Sequence, residues 1–406
     1  MLPFARFRTA PPTPVAAYLA YRPCPICGGQ DHRPLLEFEG YQFYVDLPDS
    51  TQVNIRQVQC RRCFAAFMNP VFTPEGFAVL FARAGASYPS YGSTGEREAV
   101  QMAWLQARGY LAPGQTLLDV GCFEGAFLSR LPAGVLGIGV DIDPPAIERA
   151  NRRYGDANRR FLCADFERVS LDQPVDLITL FHVLEHLPQP VAVLRQLARI
   201  AHPGTRLLVE VPVLENATFD AVCGFMTVQH LTHFSIGSLG NALAVSGWRV
   251  VFAEAMNGYN GYRVIAEPAG HNAVARPLLE DCHRMLAYLS GWNRALAEVE
   301  ARIRRLDRRQ CVIRGGGLHA EYLYHLTSLA AGERDFLVVD SDPLKQGERW
   351  RGIPTLGPDC LSSQDWSETQ LLISSYFHQE AMHEEARRLG IPETATVVLY
   401  DRVFRY

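Results

Sequence analysis

Residues 116–143, TLLDVGCFEGAFLSRLPAGVLGIGVDID, constrain this chain more than any other stretch. They read as strand, glycine turn, helix, strand. Leu117, Leu118 and Val120 form a short apolar run suited to a buried parallel strand, and Gly121 and Gly125 bracket a turn into an amphipathic helix expected to begin near Gly125. The second apolar run, residues 135–140, ends on Asp141. Such an arrangement leaves a backbone-lined notch at the carboxyl ends of neighbouring strands with an acid beside it, where open α/β sheets bind nucleotides. The spacing Gly121-x-x-x-Gly125, preceded by Asp119, is not the dinucleotide pattern G-x-G-x-x-G, so a pyrophosphate need not be accommodated.

Three further features follow in order: Asp141 after the second strand, Asp165 after the third, and a fourth strand running into FHVLEHL at residues 181–187. Together with the turn they resemble the class I S-adenosylmethionine (SAM) methyltransferases. That resemblance implies a Rossmann-like core in which Asp119, Gly121, Cys122 and Gly125 line the amino-acid end of SAM. It also implies that Asp141 meets the ribose, that Asp165 and Phe166 meet the adenine, that Ile142 belongs to the cofactor site and that Phe181 walls it. The chemistry of the ribose contact is sound, because two hydroxyl donors suit a carboxylate that can only accept. Tyr88 and Tyr91, in a loop ahead of the first strand, are candidates to cover the cofactor.

At 406 residues the chain exceeds one ordinary core, and two or three domains are expected. A net charge of −4 gives no footprint for nucleic acid. Lys345 is the sole lysine, which argues against Schiff-base chemistry with pyridoxal phosphate. No apolar run reaches membrane-spanning length, and a cytoplasmic, membrane-free protein is expected. Ten cysteines in a reducing compartment point to metal or buried thiols before disulfides.

Cys24 and Cys27 form one CxxC pair, Cys60 and Cys63 another. Four thiolates on two knuckles are expected to make a closed tetrahedral structural zinc site with no open position for water, a redox CxxC being the alternative. On the acceptor side, His182 is the second residue of FHVLEHL, with Glu185 and His186 read as architectural. TVQHLTHFS at residues 227–235 brings Gln229, His230 and His233 ahead of a helix capped by Ser235. His230 is the leading general base and His233 the second. From residue 311 a second strand, glycine turn, helix, strand pattern begins, with Gly315, Gly316, Gly317 and then Asp340.

The order of zinc knuckle, SAM domain, helical linker and second glycine turn followed by DSDPLKQG resembles the sugar C-methyltransferases that act on nucleotide-linked keto-deoxysugars. Residues 1–22, rich in Pro, Ala and Arg, are expected to form a loose leader, followed by a zinc-binding domain over 23–72 and a methyltransferase domain over 73–267. A linker and helix over 268–310 then lead to a C-terminal Rossmann-like α/β domain over 311–406. The resemblance implies SAM and structural Zn2+ as cofactors, a nucleotide-linked sugar as acceptor, and a base that removes the proton beside the ketone. Where that family has a glutamate next to the histidine, this chain has Gln229, which cannot act as a base but can donate to an enolate oxygen. O- or N-methylation of a natural-product or glycan acceptor is the alternative, as is a nucleotide-binding module in the C-terminal domain.

Overall fold

The computed structural model describes residues 2–7, 18–42, 52–80, 95–168 and 170–402. Tyr88 and Tyr91 lie outside them. The N-terminal part builds short β1 (Leu19–Ala20), long β2 (His32–Gln42) and β3 (Gln52–Cys60), then β4 (Ala66–Met68) and β5 (Val71–Phe72). The two CxxC knuckles stand at one end of the β2–β3 ladder, where His32 pairs with Cys60.

The central sheet contains β6 (Thr116–Val120), β7 (Leu136–Asp141), β8 (Arg159–Cys163), β9 (Leu177–Phe181) and β10 (Arg206–Val211). After the two-residue β11 (Thr232–His233), the hairpin β12 (Trp248–Ala255) and β13 (Tyr262–Pro268) completes it. Its order is β12-β13-β10-β9-β6-β7-β8, with β13 antiparallel to β10 and the other central pairs parallel. The chain winds outward from β6 through β7 to β8, then returns to the other side of β6 as β9. This reversal opens a crevice at the carboxyl ends of β6 and β9, where ligands of such sheets bind. Leu118, Val120, Ile178 and Leu180 are buried on one face and Leu117, Leu177 and Leu208 on the other, as the unbroken apolar runs require.

Two expectations are corrected here. The helix expected from Gly125 is only a 3-10 turn at Leu128–Arg130. Phe123 and Gly125 both hold positive φ, and Pro132 follows at once, so too few residues remain for regular helix. The leader is also not loose over residues 2–7. Ala5 exchanges backbone hydrogen bonds with Phe336, at 2.9 and 2.7 Å, and Phe7 packs edge-on against Trp350.

A helix at Leu279–Ile303 leads to the C-terminal sheet of β14 (Gln310–Arg314), β15 (Asp335–Val339), β16 (Arg349–Trp350), β17 (Ile353–Leu356), β18 (Thr369–Ile373) and β19 (Thr396–Val397). The order β16-β17-β15-β14-β18-β19 reverses in the same way, between β14 and β18. The N-terminal sheet is the shared wall between the two α/β units. Val58 and Phe67 join the core of the central sheet, whereas Phe38, Tyr41 and Ile55 join the core of the C-terminal one.

Candidate active site

Two glycine turns compete as the cofactor site, and their backbones are alike. Asp141 accepts from the N–H of Phe123 at 2.9 Å and of Asp143 at 3.0 Å. Asp340 accepts from Gly316 at 2.8 Å and Asp342 at 2.9 Å in the same manner. What differs is the cation. Lys345 reaches Asp340 at 3.2 Å, and its ammonium stands 3.5 Å from where a side chain on Gly317 would begin, so this turn already holds its counter-charge. Among the described residues no Lys or Arg pairs with Asp141. Beside it Ile142 is 66% exposed, an apolar side chain left open at the end of β7. Exposed Asp165 and buried Phe166 follow at the end of β8. These are the placements a ribose and an adenine face require, so the residues present fit SAM at the first turn.

The first turn is tightly built. Gly121, at φ 77°, faces Val183, and a Cβ there would lie 2.3 Å from that side chain. Gly125, at φ 81°, backs onto the Phe161 ring. Beneath the turn Asp119 accepts a 2.7 Å hydrogen bond from the Thr179 hydroxyl, and burial pushes its carboxyl up to about 7 despite that bond. Burial also raises Asp141, against the backbone bonds that favour its charge. Cys122 is buried beside Gly139, and Phe181 meets Phe127 edge-on at 4.9 Å.

Across the crevice stands a chain of charged and imidazole groups. His182, at φ 54°, places Nε2 3.0 Å from Glu210 and Nδ1 3.4 Å from Glu185. Burial works against a charged ring, but the two carboxylates overcome it and raise His182 to about 9. Glu210 in turn accepts from Arg263, itself fully buried, and from the Tyr259 hydroxyl at 2.8 Å. Despite burial, His182 and Arg263 hold Glu210 down to about 2.

His230 reaches this group because its loop is threaded between two elements. Leu231 donates to the Glu185 carbonyl at 2.8 Å, and its own carbonyl accepts from Met68 at 3.0 Å. Buried Arg22 clamps the same Leu231 carbonyl at 2.7 Å. The His230 ring then stands 4.9 Å from His186, and burial, followed by the neighbouring imidazoles, lowers it well below the ordinary histidine value. Gln229 turns its carbonyl to His186 at 2.9 Å. His233 is almost wholly buried in β11 with Nε2 2.9 Å from Gln57, a placement that suits a buttress for His230 better than a base.

Glu185, Glu210, Tyr259 and Arg263 were not singled out as site residues from sequence. The available signal was a charge inside an apolar strand, Glu210 in RLLVEV and Arg263 in YRVIAEP, since such charges are buried only with partners.

The four knuckle cysteines come together. Their sulfurs lie within 4.8 Å of one another, with Cys24 to Cys63 at 3.6 Å and Cys27 to Cys60 at 3.5 Å. Four thiolates around zinc stand about 3.8 Å apart, so the donor set fits a tetrahedral ion.

A family model described as a methyltransferase domain matches residues 95–252. An uncharacterized methyltransferase of Mycobacterium ulcerans (strain Agy99) is 36% identical over 103 residues, 25% of this chain and 40% of that protein. A ubiquinone biosynthesis O-methyltransferase of Paraburkholderia phytofirmans (strain DSM 17436 / LMG 22146 / PsJN) is 30% identical over 119 residues, 27% of this chain and 49% of that protein. The chain thus spans less than half the length of these curated relatives. A SAM-dependent methyltransferase from Aquifex aeolicus superposes with a TM-score of 0.39 at 20% identity, over 45% of this chain and 97% of that one. Residues 95–252 are a methyltransferase domain of α/β fold.

Proposed function

We propose that this chain is a SAM-dependent methyltransferase that methylates the carbon beside the ketone of a nucleotide-linked keto-deoxysugar. The observation that carries the reading is the convergence, inside the matched segment, of an open glycine turn and its acids with His182 and His230 across the same crevice. When bound, SAM supplies an electrophilic methyl, which an enolate carbon takes as a C–C bond forms and the S–C bond breaks, the electron pair staying on sulfur. Asp141 would hold the ribose through its remaining lone pairs, and Ile142 and Phe166 would flank the adenine. His230 would take the proton from carbon, with His182 and the Gln229 amide donating to the enolate oxygen. The four cysteines would hold a structural zinc that takes no part in the reaction.

The test is His230→Ala, followed by calorimetry with SAM and by transfer from labelled SAM. Turnover should be lost while SAM affinity stays within about twofold; retained turnover removes His230 from the base role. A hydroxyl acceptor is the second reading, favoured by the O-methyltransferase name of a relative. It requires no ketone.

A further inference from the structure

We propose that Glu185, His186 and His230 form a binding site for a divalent transition-metal ion, separate from the four-cysteine site. One ligand atom from each of the three lies within 4.8 Å of the others. Ligands about 2.1 Å from a metal stand at most about 4.2 Å apart, so small side-chain rotations close the set around an ion.

Three observations make this more than proximity. Glu185 is 1% exposed, yet neither of its oxygens receives a hydrogen bond among the described residues. His182 approaches it at 3.4 Å, within ion-pair reach but out of alignment. The nearby cation His182 is shared with Glu210, so lone pairs of this acceptor-only group remain open to a metal ion.

The second observation is the orientation of His186. Its Nδ1 lies 2.9 Å from the Gln229 carbonyl, which can only accept, so Nδ1 is assigned the proton. In the neutral ring Nε2 then presents a lone pair towards a carboxylate oxygen 3.8 Å away. Two acceptors facing one another repel unless a proton or a metal ion stands between them. A ring held through its other nitrogen by a carbonyl is also the usual support of a metal-bound histidine. Third, Nδ1 of His230 is buried and has no hydrogen-bond partner among the described residues.

Two imidazoles and one carboxylate suit zinc, cobalt or manganese, and three protein ligands leave positions open towards the crevice. The consequence for activity rests on the proposed function: His230 cannot hold a cation and remove a proton at once. Loading the site therefore stops proton removal from the acceptor.

The experiment uses the full chain, first supplied with one equivalent of zinc, then titrated with cobalt(II) and followed by visible absorption. The wild type should take one further equivalent, with ligand-field bands but no thiolate charge transfer. Glu185→Gln and His186→Ala should weaken that uptake roughly tenfold or more, while each keeps its affinity for SAM as evidence of folding. No second equivalent in the wild type overturns the site and leaves a His186–Glu185 ion pair in its place. Equal uptake by both SAM-binding variants overturns it too. If cobalt binds as expected but exchange of the acceptor proton keeps its rate, the metal site stands and His230 as base fails.

Discussion

At the scale of single residues, burial decides what the acids at the first turn can do. Asp119 is held up to about 7, whereas an unfolded aspartate titrates near 3.9, so between those values the folded carboxyl keeps a proton that the unfolded chain has lost. Its contribution to stability is therefore complete below about pH 4 and is lost as pH rises through 7. Urea melts of the cofactor-free protein should show this fall, on the order of a few kcal/mol, and Asp119→Asn should flatten it. Asp141 is a separate case because it serves the backbone and would serve the ligand. Asp141→Asn keeps an acceptor oxygen but loses the charge, and calorimetry should show SAM affinity falling roughly 10-fold to 100-fold. Unchanged affinity would remove Asp141 from the ribose.

At the scale of elements, the strands were easier to read than the segment between them. The apolar run around Leu118 reads as a strand because an unbroken run of this length suits burial on both faces, and the capping residue Ser235 marked its helix plainly, accepting from Ser238 at 2.9 Å. The helix after Gly125 failed because local backbone geometry, with left-handed Phe123 and Gly125, overrode the apolar spacing. His230 was legible as a polar residue in a histidine-rich stretch. His182 was legible too, but its contact with Glu210 was not, since the two meet only through the pairing of β9 and β10. The turn itself makes a prediction. Gly125→Ala puts a methyl 2.5 Å from the Phe161 ring in a left-handed conformation, and should cost roughly 1–3 kcal/mol in denaturant melts. A neutral substitution would mean that the turn relaxes.

At the scale of the whole molecule, the cysteine knuckles and the acceptor side belong to one structure. The strand β11, two residues beyond His230, pairs with β4 of the N-terminal sheet, and the knuckle residues Cys24 and Cys63 sit in the same core as β6 and β9. Sequence order could not reveal this pairing, because Ala66 and His233 lie on either side of the central sheet's first five strands in the chain and meet only in the tertiary structure. Cys60→Ser should therefore lose zinc and lower turnover several-fold while SAM affinity changes little. A variant without zinc that kept full turnover would break the proposed link. The most direct test of the central claim follows methyl transfer from labelled SAM to nucleotide-linked 4-keto-deoxysugars, with deuterium uptake beside the ketone recorded in the same samples. Transfer with exchange, both abolished in His230→Ala, is the expected result. A protein that binds SAM yet gives neither transfer nor exchange with any ketone acceptor contradicts the proposal.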